Sequence, residues 1–369
     1  MPVHRVVVIS HVYLDPARRG KLHALAARDV DVTVGVPHRS IDPALHRAVE
    51  ARWERQGGIE TFPIAARRYT SVETLRFGRR ELRALLRDKR PDLVQIEEEP
   101  ETGVAAQIAR GARRAGIPAV LFLERNLERS SSWRAHLRRN ATLDRVRGVI
   151  TGGAAAAELL RQERPGLPIT VIPQLGVAVA TNPEHAYHEG LAIGYIGRLV
   201  PEKGLDTLLH ALAENRAERW HLTVAGEGPE REGLEHLAGE LRLSARIRWM
   251  GALPSDRVSH LWPDLDVLVL PSRATREWRE PTGQALMEAM AHEVAVVGTA
   301  SGVIPEIIGE SGIVVPPNDP GALAAALRAM ADQTRRQPLA RAARARVMER
   351  FSDDAIAERT IRFWGEVLS

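Results

Sequence analysis

The chain has 369 residues, long enough for two domains of ordinary size, each with its own core. It has no cysteine, which excludes a disulfide framework, thiolate catalysis and a zinc–thiolate site. The net charge of +4 hides an asymmetry: residues 1–180 carry 30 Lys+Arg against 20 Asp+Glu, and residues 181–369 carry 21 against 27. A basic N-terminal half suits an anionic membrane surface, an anionic acceptor or nucleic acid. No apolar run reaches about 18 residues, so no transmembrane helix is expected. Met1 to Ser10 reads as a strand and not as a signal peptide. The expected location is the cytoplasm, with peripheral contact at the inner face of an anionic membrane as a further expectation.

The N-terminal half alternates strand and helix. Val6 to Ile9 is a buried-type strand, and the loop from Ser10 to Pro16 follows it. Gly20, with Arg18, Arg19 and Lys21, opens a helix from Leu22 to Arg28 and is a candidate receiver of a phosphate or an anionic substrate. Strands are expected at Val30 to Val36 and Ile59 to Ile64. A cation-rich amphipathic helix is expected between Ser71 and Arg90, either as a surface helix on the sheet or on anionic lipid. Leu93 to Ile96 ends in the acidic loop Glu97 to Glu101, open to sugar hydroxyls, basic groups or solvent. After a helix from Thr102 to Ala115, the strand Ala119 to Leu123 delivers Glu124, Arg125 and Asn126 to the same edge. A strand at Val149 to Thr151, an alanine-rich helix and a strand at Ile169 to Ile172 close the half. The segment from Pro173 to Gly190 lacks periodicity and reads as a linker.

The second half restarts the alternation at Leu191 to Ile196. Arg198 and Lys203 then lie in the loop before a helix from Leu205 to Ala213, where two cations suit a diphosphate. Leu222 to Ala225 ends in the turn Gly226-Glu227-Gly228-Pro229, which allows close approach to backbone. Ile247 to Met250 ends at Gly251. The strand Val267 to Leu270 leads to Glu280-Pro-Thr-Gly-Gln-Ala-Leu-Met-Glu288, a loop that turns into a helix. Gly283 there permits close backbone approach, and the helix's free N–H groups favour an anion. Glu280 and Glu288 can reach different parts of one ligand, a carboxylate being a good acceptor for paired hydroxyls. A strand at Val294 to Val297, a short helix near Pro305, a strand at Gly312 to Val315 and a capped helix after Asp319 follow. Two helices, Arg336 to Arg350 and Asp353 to Leu368, end the chain. The expected fold is α/β and doubly wound.

Five motifs occur in order: Gly-Arg-Leu-Val-Pro-Glu-Lys-Gly (197–204), Val-Ala-Gly-Glu-Gly-Pro-Glu (224–230), Leu-Pro-Ser (270–272), Glu280…Glu288-Ala-Met-Ala, and Gly-Ile-Val-Val-Pro-Pro-Asn-Asp (312–319). From about residue 190 to 320 the chain resembles the C-terminal half of the retaining family 4 glycosyltransferases. The N-terminal half fits in layout and in Val-Ile-Pro-Gln-Leu-Gly-Val (171–177). The resemblance implies the GT-B architecture: two Rossmann-like domains with a cleft between them. Residues 1–180 would be the acceptor-binding domain and 181–352 the nucleotide-sugar domain, with a final helix (353–369) crossing back to the first.

Position by position, the resemblance implies that Arg198 and Lys203 bind the donor diphosphate and that Glu288 holds the ribose hydroxyls. Glu280 would face the donor sugar, with Thr282, Gly283 and Gln284 at the phosphates and sugar. Gly226, Gly228, Met250 and Gly251 would line the nucleotide. Arg198, Lys203 and Glu280 are thus the catalytic candidates, and Glu124, Arg125 and Asn126 the candidates on the acceptor side. The implied partners are a nucleotide-sugar donor and a hydroxyl acceptor. UDP-sugar is the first expectation, with GDP- and ADP-sugars next, and no cofactor or metal is expected. Asp264-Leu265-Asp266 mimics a metal-binding Asp-x-Asp, but it leads into a buried strand. Relatives usually carry Gly-Gly after the first strand, where only Gly20 stands, and many carry a histidine where Glu124 to Asn126 stand. The linker's usual Gly-Val-Asp reads Gly176-Val177-Ala178. The competing readings are a nucleotide-sugar epimerase and a catalytically silent nucleotide-sugar-binding protein. The sequence offers no helix-turn-helix or aromatic stacking module for nucleic acid.

Overall fold

The computed structural model describes residues 3–41, 48–67, 74–124, 132–183, 185–276 and 278–369. The chain divides into two units: residues 1–176 with 353–369, and residues 177–352. The division lies a few residues before the expected position 180, at Gly176, and the last helix belongs to the first unit.

In the first unit the chain runs β1 (Arg5–Ile9), α1 (Gly20–Ala26), β2 (Asp31–Pro37), β3 (Glu54–Gln56), β4 (Ile59–Ile64), α2 (Arg79–Lys89), β5 (Leu93–Ile96), α3 (Gly103–Arg114), β6 (Ala119–Leu123), α4 (Trp133–Leu143), β7 (Gly148–Thr151), α5 (Ala154–Glu163) and β8 (Ile169–Val171). Eight strands form one sheet in the order β8-β7-β6-β5-β1-β2-β4-β3. All neighbours are parallel except the β3–β4 hairpin. A parallel sheet is covered on both faces, and its strands are apolar throughout. Successive residues of β1 accordingly serve opposite cores: Val6 and Val8 pack with Leu22, Leu25 and Trp364, while Val7 and Ile9 pack with Leu82, Leu85 and Ile108.

The expected helix at 71–90 begins only at Arg79, and residues 71–73 lie outside the described residues. Its leucines 82, 85 and 86 are buried, and Gly78 precedes it in an extended conformation. The apolar stripe is therefore occupied by the sheet, which leaves Arg79, Arg80, Arg83 and Arg87 on the outer face.

The second unit runs β9 (Leu191–Ile196), α6 (Leu205–Glu214), β10 (Trp220–Ala225), α7 (Arg231–Glu240), β11 (Ile247–Gly251), β12 (Val267–Leu270), α8 (Gln284–Ala291), β13 (Ala295–Thr299), α9 (Ile304–Ile308), β14 (Ile313–Val315), α10 (Pro320–Ala331) and α11 (Gln333–Arg350). Its six strands are all parallel, in the order β11-β10-β9-β12-β13-β14. One face packs on α6 and α10 through Leu208, Leu212 and Leu323, and the other on α8 and α11 through Leu286, Met290 and Val347. The last helix, α12 (Asp353–Leu368), lies in the first unit. There it buries Ile356, Phe363 and Trp364, and the Trp364 indole N–H donates to Gln95 Oε1 on β5 at 2.7 Å.

Candidate functional site

Both sheets reverse their winding next to the first strand. In the second unit the chain steps from β9 to β10 on one side, then crosses to β12 on the other. Ligands of open α/β sheets bind at the carboxyl ends of the strands flanking such a reversal. The loops after β9 and β12 meet there. Pro201–Lys203 forms a single 3-10 turn closed by Gly204 in the left-handed region, and α6 follows at once.

Lys203 Nζ lies 2.7 Å from Glu280 Oε2 and 3.0 Å from Oε1. Ser272 Oγ donates to Glu280 Oε2 at 2.7 Å, and the Gly283 N–H approaches Oε1 at 3.4 Å. Glu280 is 2% exposed, and the Lys203 side chain 14%. The ammonium also lies 5.5 Å above the Trp278 ring. The Glu280 main chain is fixed by its N–H to Ser301 Oγ (3.2 Å) and its carbonyl to Val303 N–H (3.1 Å). Glu280 was expected to face a donor sugar. In this structure its carboxylate is engaged by Lys203 and Ser272, and the arrangement holds a cation at the reversal.

Gly283 precedes α8 with φ of 57°, a left-handed conformation that glycine adopts at little cost. The first turn of α8 begins at Gln284, whose side-chain amide donates to Glu288 Oε1 at 3.1 Å. Thr282 is exposed and Glu288 half-buried. Arg198 is exposed, and its carbonyl accepts the Tyr195 hydroxyl at 2.9 Å. Burial, reinforced by the charge of Glu280, pushes the Tyr195 phenol far above its ordinary range, so it remains a donor. A cation beside a helix N-terminus suits an anion, above all a diphosphate.

Gly226 and Gly228 have a reason within the chain itself. A Cβ on Gly226 would lie 1.8 Å from the Gly197 carbonyl oxygen, and one on Gly228 2.2 Å from that of Leu199. The two strand-end loops thus lie backbone to backbone, and only glycine permits that. Met250 and Gly251 end β11 beside them, with the Gly226 N–H on the Gly251 carbonyl at 2.8 Å.

Gly20 was expected to receive a phosphate or an anionic substrate, and in this structure a carboxylate of the chain itself lies against it. A Cβ there would lie 2.1 Å from Asp353 Oδ2, so the anion against the start of α1 is the protein's own carboxylate. The neighbouring cations are engaged too: Arg19 by the Tyr13 carbonyl and Glu54, Arg18 by Asp15, and Lys21 by Glu97. The acidic loop after β5 is likewise turned inward. Glu97 takes Lys21 Nζ and the Tyr13 hydroxyl, each at 2.7 Å, and Gln174 at 3.1 Å, while Glu98 takes His11.

Glu124 follows β6, its N–H bonded to Glu99 Oε1 at 3.2 Å; Arg125 and Asn126 lie outside the described residues. In the Asp-x-Asp segment, Asp266 accepts the Ala192 N–H at 2.9 Å and Arg336 at 2.8 Å. Ser272, Ser301 and Trp278 were not predicted for the site. Leu-Pro-Ser was visible as a motif, but nothing in the sequence says that Ser272 meets a glutamate eight positions on.

Two family models match the chain. The one described as "Glycosyl transferases group 1" covers residues 181–346, and "Glycosyl transferase 4-like domain" covers residues 16–174. The chain belongs to the family 4-like glycosyltransferases of GT-B fold. A glycosyltransferase of Methanocaldococcus jannaschii called uncharacterized, MJ1607, is 32% identical over 175 residues, 46% of this chain and 43% of its own length. The putative colanic acid biosynthesis glycosyltransferase WcaL of Salmonella typhimurium is 34% identical over 168 residues, 44% of this chain and 41% of its own. The matches thus span less than half the length of these relatives. Among solved structures, sucrose-phosphate synthase from Thermosynechococcus elongatus aligns over 99% of both chains with a TM-score of 0.76 and 21% identity. Anabaena HepE in complex with UDP and glucose aligns over 98% of this chain and 100% of its own, with a TM-score of 0.72 and 18% identity. At these identities the likeness establishes the fold.

Proposed function

We propose that the protein transfers a sugar, a hexose by first expectation, from a nucleotide-sugar donor to a hydroxyl acceptor with retention of anomeric configuration. The observation that carries this reading is the Lys203–Glu280 pair, set at the sheet reversal beside the N-terminus of α8. A departing nucleoside diphosphate needs positive charge, which Lys203, Arg198 and the α8 N-terminus supply without a metal ion. Glu288 accepts the ribose hydroxyls. Glu280 orients Lys203 and contacts the sugar once the diphosphate takes over the ammonium.

The donor is read as a UDP-sugar first, with GDP- and ADP-sugars next. The acceptor is a glycan, a lipid-linked glycan or a small metabolite, as in polysaccharide biosynthesis. The reaction is placed in the cytoplasm. No described helix is long and apolar enough to cross a membrane. Thermal-shift titration with UDP, GDP, ADP and UDP-glucose, without added metal, tests the reading. A selective rise with one nucleotide supports it by linkage. The absence of a rise with all four rejects it.

A further inference from the structure

The first unit has its own winding reversal, and it carries a histidine. β1 lies between β2 and β5, so the crevice flanking the reversal opens at the ends of β1 and β5. The two strand ends are laced together: Glu97 N–H donates to the Ile9 carbonyl at 3.0 Å, and Ser10 Oγ to the Glu97 carbonyl at 2.9 Å. His11 and Glu98 follow directly. Glu98 Oε1 accepts both the His11 backbone N–H and Nδ1, each at 2.8 Å. A carboxylate accepts only, so Nδ1 carries a proton, and in the neutral ring Nε2 presents a lone pair.

The Glu98 side chain is fully buried, while the His11 side chain keeps 29% exposure. Glu98 Oε2 is buried and has no hydrogen-bond partner among the described residues. A buried carboxylate oxygen left without a donor is costly, and it marks a polar position that the protein does not fill. The reachable group here is the clamped imidazole, which keeps partial exposure and in its neutral form suits a hydroxyl of a sugar or cyclitol.

We propose that His11, held by Glu98, accepts a hydrogen bond from the acceptor hydroxyl at Nε2 and takes its proton as that oxygen bonds the anomeric carbon of the sugar, while the bond from that carbon to the diphosphate oxygen breaks and its electron pair leaves with the nucleoside diphosphate. This rests on the glycosyl-transfer reading above and adds the residue that receives the acceptor. The role requires neutral imidazole. Burial opposes the charged ring, but the hydrogen bond to Glu98 and the charges of Glu98 and Glu124 outweigh burial and Arg18, and they hold His11 above its ordinary value. Protonation turns Nε2 into a donor, so transfer falls on the acid side.

Water is the simplest hydroxyl acceptor, so the test uses hydrolysis of UDP-glucose, followed for hours from about pH 5 to about pH 9. UDP binding is measured by calorimetry on the same preparations. His11→Ala lowers hydrolysis about tenfold at the alkaline end and removes the acid limb. His11→Gln, whose amide oxygen can accept the same bond, retains more activity, also without the acid limb. Glu98→Gln moves the limb to lower pH, because the carboxylate that raises the imidazole is gone. UDP affinity stays within about twofold throughout, since none of these residues lies in the second unit.

An unchanged rate and pH profile in His11→Ala, with UDP bound normally, overturns the assignment. So does a wild type that binds UDP and never hydrolyses the donor. Failure of the wild type to bind UDP falls instead on the donor reading.

Discussion

The two sheet reversals use the same parts differently. Each sets a lysine from the loop or helix after one strand against a glutamate from the loop after the strand across the reversal: Lys21 with Glu97, and Lys203 with Glu280, both at 2.7 Å. In the first unit Tyr13, Gln95 and Gln174 also bond Glu97, and the Lys21 and Glu97 side chains are 2% and 0% exposed. In the second unit the lysine keeps partial exposure, and a glycine-led helix N-terminus lies beside the carboxylate. Topology thus supplies two comparable ligand positions. One has been closed into the core by its own side chains, with His11 at its rim, and the other is left able to receive an anion.

The largest expected effect separates the two pairs. Lys21→Ala and Lys203→Ala each strand a buried carboxylate and cost about 3 kcal/mol in urea denaturation. Only Lys203→Ala also lowers UDP affinity, about a hundredfold by calorimetry. Equal losses of UDP affinity in both variants would break the comparison. Next comes Glu288→Ala, which weakens UDP about tenfold with little change in stability. With a dideoxyribose analogue of UDP the wild type and the variant bind alike, if the ribose hydroxyls are what Glu288 holds.

A smaller effect concerns Asp353, the anion at the start of α1. Burial, with Asp354 adding and Lys21 and His23 opposing, raises its carboxyl to about 6. A group raised on folding contributes stability that is full below its unfolded value, about 3.9, and is lost as pH rises through the folded value. Asp353→Asn is therefore more stable than wild type at about pH 8, by about 1 kcal/mol, and the advantage disappears by about pH 4. A melting series across pH reads this directly. The smallest effect is at α2. With its leucines in the core, α2 offers an anionic vesicle only its arginines, so if the protein pellets with such vesicles, Arg83→Glu with Arg87→Glu weakens pelleting only at low salt. A salt-independent retention would mean that the helix leaves the sheet.

Much of this fold was legible because parallel strands buried on both faces announce themselves. Val6 to Ile9, Leu93 to Ile96, Ala119 to Leu123 and Val267 to Leu270 are short apolar runs bounded by loop residues, and each is a strand within one residue of its expected ends. The antiparallel β3 and the helices α4 and α7 were not read. Trp133 and Leu137 on α4 stay exposed, so that helix lacks the full buried stripe that periodicity detects.

The site divides in the same way. By itself the sequence determined the alternation of strands and helices, the glycine and cation positions at strand ends, and membership of a family whose motifs follow one another in the second half. Those are local properties, set by side-chain period and backbone freedom. Only the tertiary structure decided which charges remain for a ligand. Arg18, Arg19, Lys21 and the acidic loop after β5 looked as available as Arg198 and Lys203. Yet Arg18 meets Asp15 three positions before it, while Arg19, Lys21 and Glu98 meet Glu54, Glu97 and His11 across the fold. Partners about 75 residues apart in sequence are brought within hydrogen-bond distance by strand order, which no local pattern encodes.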